Sequence, residues 1–175
     1  MTALTTRRRV EFRDTDAAGI VHFSAFFFWM ESAEHELLRQ VGVRVVERSD
    51  SADGVIASAP GELVPREVLP GEVVSWPRVS VSCDYLAAVR FGDEVDIAVT
   101  VADIGRTSVT YAFAFSAAGR PVATGRVVAV RCRLQPDRLQ EGRRPEPVPI
   151  PDDIRARLQA FHAEAGPDGT EHRSR

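Results

Sequence analysis

Residues Asp14–Gly42 read DTDAAGIVHFSAFFFWMESAEHELLRQVG, and the fold turns on how this stretch divides. Its first part holds two carboxylates, Asp14 and Asp16, and a glycine, Gly19, all residue types that suit tight connections. Its second part has a helical period. Phe26, Met30, Ala33, Leu37 and Val41 recur at helical spacing, while Glu31, Glu34, His35 and Arg39 fall to the side or opposite. Ser24 is placed to serve as N-cap, and Gly42 stands where a helix usually stops. A helix from about Ser24 to Gln40 follows, entered through the Asp14/Asp16 turn.

Ahead of the turn, residues from about Thr5 to Phe12 read as a short strand. Behind the helix, Val43 to Pro77 holds Pro60, Pro65, Pro70 and Pro77 with Gly54, Gly61 and Gly71, and has no sustained period. It reads as a long irregular connection with one short strand or turn inside it, and loops of that length are often functional. Four strand-like blocks come next: VSVSCDYLAAV, DEVDIAVTVAD, RTSVTYAFAFS and PVATGRVVAVRCRL. They are separated by Gly92-Asp93, Ile104-Gly105 and Gly119-Arg120. Val95, Ile97, Val99 and Val101 alternate with Asp96, Ala98, Thr100 and Ala102, so one face is more buried than the other. The short connections predict antiparallel neighbours. Gly125 marks a bulge or a close backbone contact. The expected layout is one α+β domain over 1–150 with a long 43–77 connection. A short helix over 151–163 and a disordered tail over 164–175 follow it.

Composition removes several function classes. The 22 basic residues against 25 acidic ones leave a formal charge of −3, so no bulk electrostatic argument favours a nucleic acid or membrane partner. Every basic residue is Arg, and the chain contains neither Lys nor Asn. Schiff-base, pyridoxal phosphate and P-loop lysine chemistry are thereby excluded, as is glycosylation at Asn. Cys83 and Cys132 lie in apolar strand-like runs and read as buried reduced thiols. The opening MTALTTRRRVEF has no apolar run suited to a signal peptide, and no segment reaches the length of a membrane span. Cytoplasmic residence is the expectation.

Two chemical motifs fail on inspection. His35-Glu36 begins like a zinc-binding helix motif, but Arg39 stands where the second histidine belongs. Ser24 lies near His22, yet lacks the glycine pattern of a nucleophile elbow, and capping explains it better.

The quoted stretch closely resembles the opening motif of hotdog-fold acyl-CoA thioesterases of the 4-hydroxybenzoyl-CoA thioesterase family. That pattern is an acidic residue, any residue, Asp, two small residues, Gly, an apolar pair and aromatics, then a helix with Trp and Glu. CDYLAAVRFGDEV resembles the family's second-strand segment and its turn, and RPEPVPIPDDIRARL its usual ending. The resemblance implies a hotdog fold, one long central helix wrapped by an antiparallel sheet of five to six strands. It implies hydrolysis of an acyl-CoA or aryl-CoA thioester, with Asp16 as nucleophile or general base. Gly19 matches the motif glycine, and Phe23 the position whose backbone N–H polarises the thioester carbonyl. His22 falls where the family often has Tyr or Trp.

The implied partners are an acyl-CoA substrate and further copies of the same chain, as a dimer or tetramer; no metal or cofactor is expected. The run Phe26–Trp29 exceeds what one core face can bury, so part of it should meet a partner subunit or an acyl pocket. With no lysine available, CoA phosphates should be held by arginine, and Arg90, Arg131 and Arg133 are candidates from their strand-end positions. Asp14 is expected to orient the loop. The 43–77 connection, longer than is usual in the family, is expected to border the acyl end through Val64, Val68, Leu69, Val73 and Trp76. Two alternatives stay open: a hotdog hydratase or dehydratase using His22 with Asp16, and a non-catalytic acyl-binding module.

Overall fold

Strict alternation in the strand blocks decides the main layer. The computed structural model describes residues 3–48, 55–57, 63–65, 73–135 and 142–162. Five antiparallel strands form a sheet in the order β1 (Leu4–Arg9), β7 (Glu94–Ile104), β8 (Ser108–Ala117), β9 (Arg120–Val130) and β6 (Arg78–Tyr85). On β7, Val95, Ile97, Val99 and Val101 are all fully buried, while Asp96, Ala98 and Thr100 are partly exposed. One face of the sheet is therefore core. The β8–β9 hairpin turns through Ala118 and Gly119, both with positive φ (49° and 75°). That backbone sign at both central residues matches the right-handed strand twist.

Helix α1 (Ala25–Gln40) lies against β1, β7 and β6 on the buried face. All five residues of its apolar stripe, Phe26, Met30, Ala33, Leu37 and Val41, are buried in one core. The close contact expected at Gly125 is made with this helix. A Cβ built on Gly125 would lie 2.3 Å from Met30 Sδ. Helix α2 (Asp152–Gln159) adds Ile154 and Leu158 to the same core beside β7, and the Val101 N–H donates to the Phe161 carbonyl just past its end.

The resemblance implied one long helix. Beside that long helix, α1, the described residues hold a second, α2, whose apolar side also closes over the sheet. The first strand ends at Arg9 rather than Phe12. Val10 turns inward, its N–H leaving the ladder for the Asp93 carbonyl, and a 3-10 turn covers Phe12–Asp14. The 43–77 connection contains β2 (Val46–Arg48), β3 (Val55–Ala57), β4 (Leu63–Pro65) and β5 (Val73–Ser75). Strands β2 and β5 join β10 (Cys132–Leu134) and β11 (Glu146–Pro147) in a four-stranded sheet, and β3 pairs with β4. Three-residue strands are too short to show a period, which is why this segment reads as irregular. Trp76 is core, Val73 is half-buried, and Val68 and Leu69 lie outside the described residues, as does the 164–175 tail. Both cysteines are free thiols, Cys132 buried and Cys83 half-buried. Among the described residues no helix is long and apolar enough to cross a membrane.

The Met30–Gly125 contact has a direct test. Gly125→Ala should lower stability by about 1–3 kcal/mol, the usual range for overpacking a core. An unchanged Tm in thermal unfolding would contradict the packing.

Candidate active site

The turn ahead of α1 is built around the Asp16 carboxylate. Asp16 Oδ1 accepts the Ala18 N–H at 2.8 Å and lies 3.5 Å from the Ile20 nitrogen. Gly19, at φ +72°, donates its N–H to the Asp16 carbonyl, and the Asp16 N–H donates to the Ile20 carbonyl. A side chain at that φ would be strained, so the glycine is a backbone requirement. Oδ2 of Asp16 has no hydrogen-bond partner among the described residues, and the side chain is half-exposed. The neighbouring Asp14 is tied into the scaffold. Its Oδ2 accepts the Glu11 N–H at 2.9 Å and its carbonyl accepts the His22 N–H at 2.8 Å.

The chain then enters α1 with its first amides partly assigned. Ala25 donates to the His22 carbonyl, Phe27 to the Ser24 carbonyl, and the Ser24 N–H to His22 Nδ1 at 3.3 Å. The Phe23 N–H makes no hydrogen bond among the described residues. Free amides and the positive end of the helix dipole suit an oxygen that gains charge. Tyr85, at the end of β6, donates its hydroxyl to the Phe23 carbonyl at 3.1 Å and fixes this residue. Ser24 occupies the N-cap position, but its hydroxyl pairs with His22 Nδ1 at 2.7 Å instead of capping an amide.

The first turns of α1 open into a cleft of about 690 Å³, whose opposite wall is β1 and the 3-10 turn. His22, Phe28 and Trp29 line it; Phe28 is 68% exposed although it belongs to the aromatic run. The expected arginines separate. Arg90 is exposed and its backbone bridges Ile20, beside the Asp16 turn. Arg131 is only 3% exposed; it donates to the Pro149 carbonyl at 2.8 Å and pairs with Glu47. Arg133 belongs to β10 in the second sheet and pairs with Glu146 at 3.5 Å. Neither is brought to the turn. Strand-end position alone could not separate a buried arginine from an exposed one.

A model of the Thioesterase-like superfamily matches residues 10–158, and the chain belongs to that family. It is 32% identical over 153 residues to the 1,4-dihydroxy-2-naphthoyl-CoA hydrolase of Synechococcus sp. (strain RCC307), covering 86% of this chain and 97% of that one. An enzyme of the same name from Prochlorococcus marinus is 27% identical, with 71% and 72% covered. Among solved structures, a gentisyl-coenzyme A thioesterase aligns with TM-score 0.64 and 24% identity, over 89% of this chain and 99% of that one. A 1,4-dihydroxy-2-naphthoyl-CoA thioesterase from Synechocystis gives 0.65 and 19%, over 90% and 96%. The structural likeness shows the fold, the hotdog fold. With the family comes the reaction class: the protein is a thioester hydrolase.

One polar cluster escaped the sequence reading. Glu34 sits on the flank of the α1 stripe and is fully buried. Arg78, at the start of β6, donates Nε to Glu34 Oε2 at 3.0 Å, pairs with Glu31 at 3.2 Å, and donates to His35 Nε2 at 2.7 Å. Burial raises the Glu34 carboxyl above the usual range, against the pull of the Arg78 charge. Burial, then Arg78, lowers the His35 imidazole. Burial also raises the Tyr111 phenol, followed by the Glu34 charge. The folded state thus binds the Glu34 proton more tightly than the unfolded chain. Stability from this group is present at low pH and lost as pH rises from the ordinary carboxylate range through the elevated folded value. Glu34→Gln removes that titration. Over this span the Tm of the variant should gain on wild type as pH rises, measured by thermal unfolding at a series of pH values. A Tm difference independent of pH would show that Glu34 does not titrate this way.

Proposed function

We propose that the protein hydrolyses an aryl-CoA thioester to CoA and a carboxylic acid at the Asp16 turn. The observation that carries this reading is the pairing of a carboxylate with a spare oxygen, Asp16 Oδ2, and an unengaged amide, Phe23 N–H, across the Gly19 turn. Asp16 either removes a proton from water, whose hydroxide adds to the carbonyl carbon, or adds directly to give an anhydride that water then opens. In both routes the carbonyl oxygen gains charge beside the Phe23 N–H, and collapse expels the CoA thiolate. A thiolate leaves readily, so no strong acid is needed. The relative's name, 1,4-dihydroxy-2-naphthoyl-CoA hydrolase, and the aromatic Phe28 and Trp29 in the cleft support an aryl group on the acyl side. Of the three expected arginines, Arg90 alone is exposed and bridged to the turn, through Ile20.

Two readings compete. A hydratase or dehydratase would use His22 with Asp16, and a binding module would use neither group. The His22 ring is held by Ser24 and lies 4.3 Å, centroid to centroid, from the Phe23 ring, which supports a positioning part. Asp16→Asn should reduce thiol release from the best CoA ester by at least about 10²-fold, the lower end for a positioned acid–base group. Asp14→Asn should lose much less, and His22→Ala less than Asp16→Asn. Near wild-type turnover in Asp16→Asn would move the chemistry elsewhere.

We also propose that the protein is a homo-oligomer, at least a dimer. Among the described residues strand β6 is an open sheet edge carrying exposed Val79, Val81 and Tyr85, and the exposed Phe23, just ahead of α1, is held against Tyr85. Apolar surface and an unpaired edge together call for a cover. Light scattering at micromolar concentration should give at least twice the chain mass; a monomer would refute this part of the reading.

A further inference from the structure

The stretch TRRRVEFRD holds four arginines, and the fold gives three of them a common cavity. Arg8 and Arg9 on β1 and Arg13 on the 3-10 turn line the wall of the cleft opposite α1. Arg7 points elsewhere, forked onto Asp96 on the neighbouring strand at 2.6 and 3.2 Å. Arg8 spans the cleft to the Ser32 hydroxyl on α1. Arg9 is only loosely paired with Glu94, at 3.4 Å, and Arg13 pairs with Glu11 at 2.9 Å while 81% exposed. The carboxylates lining the cleft are Glu11 and Asp14. Asp14 is already committed to the Glu11 N–H. Three guanidinium groups against two carboxylates leave the cleft positive in a chain whose formal charge is −3.

We propose that Arg8, Arg9 and Arg13 form a phosphate-binding subsite for the CoA half of the substrate. The inference rests on the thioesterase reading, because it needs a ligand that carries both a thioester and phosphates. Three observations on the cleft agree with it. Its lining includes His22 and Ser24, which flank Phe23 in the chain, and Thr15, which precedes Asp16, so the cleft adjoins the turn although Phe23 and Asp16 do not line it. Its volume of about 690 Å³ is within the range of small-molecule sites. Its cations are guanidinium groups, which meet phosphate oxygens in bidentate fashion. Arg8 and Arg13 would exchange their present partners, Ser32 and Glu11, for the phosphates. Both present contacts are exposed, and an exposed ion pair such as Arg13–Glu11 contributes little. Arg90 reaches the turn from another element and does not line this cleft.

The test compares a CoA ester with the N-acetylcysteamine thioester of the same acid, which keeps the reacting group and lacks every phosphate. In the Arg8→Gln/Arg13→Gln double variant, the preference for the CoA ester in kcat/KM should fall at least about tenfold, through KM. That is the size of one lost charge-assisted contact. Arg7→Gln, outside the cleft, should leave the preference as in wild type. Calorimetric titration with adenosine 3′,5′-bisphosphate should show binding to wild type and at least about tenfold weaker binding to the double variant. If the double variant misfolds, Arg13→Gln alone, at an exposed side chain, should shift the preference in the same direction. An unchanged preference with intact hydrolysis of both esters overturns the subsite and leaves the thioesterase reading standing. Equal loss on both esters also overturns it, assigning the arginines to the acyl side or to folding. Failure of wild type to cleave either ester overturns the reading itself.

Discussion

Everything placed near Asp16 depends on one packing contact, the seating of α1 on the sheet. Met30 fits over Gly125 because the glycine has no Cβ, and that allows the helix to approach β9 more closely than any side chain would permit. Phe26, Ala33, Leu37 and Val41 extend the contact along the stripe. Once the helix axis is set, so is its N-terminus, and with it the amide of Phe23. The turn is then held from two more sides. Val21 donates to the Val89 carbonyl, and Tyr85 clamps the Phe23 carbonyl. A site on a loop thereby gains the rigidity of a sheet.

The same helix carries a second kind of contact at its middle. Glu34 is buried with one carboxylate oxygen on Arg78, while its Oε1, the Tyr111 hydroxyl and Trp76 Nε1 have no partner among the described residues. An apolar residue there would avoid the desolvation of a charge. What the ion cluster supplies is direction: Arg78 ties the start of edge strand β6 to two successive turns of α1 through Glu31, Glu34 and His35. The strand that ends at Tyr85 is thus anchored to the helix at its beginning and, through Phe23, at its end.

Much of this was legible because period and backbone sign are local. The α1 stripe and the buried alternation of β7 follow from spacing within one element, and a glycine inside a strand pattern left a bulge or a close contact open at Gly125. The Gly19 turn follows from the residue types around it, and the opening motif was similar enough to a known pattern to suggest the reaction class. The parts that were not legible are tertiary. Glu34 stands beside Ala33 on the edge of the stripe and reads as a flank residue, since the partner that allows its burial lies 44 positions away. Arg8, Arg9 and Arg13 carry no mark in the sequence, because their common cleft exists only once the strand and the helix are packed. Arg131 reads like Arg90, and only packing distinguishes a buried structural cation from an exposed one. The strands of the second sheet are three residues long or shorter, below the length at which alternation carries information.

The claim at the centre is that the α1 N-terminus receives the thioester carbonyl while Asp16 faces its carbon. A crystal structure with a non-hydrolysable thioether analogue of an aryl-CoA, retaining the ketone oxygen, addresses it directly. The ketone oxygen should accept the Phe23 N–H at about 2.7–3.2 Å. A carboxylate oxygen of Asp16, or one water held by it, should lie about 3–3.5 Å from the carbonyl carbon. An analogue bound with its ketone away from the α1 N-terminus, and Asp16 engaged only in its turn, would contradict it.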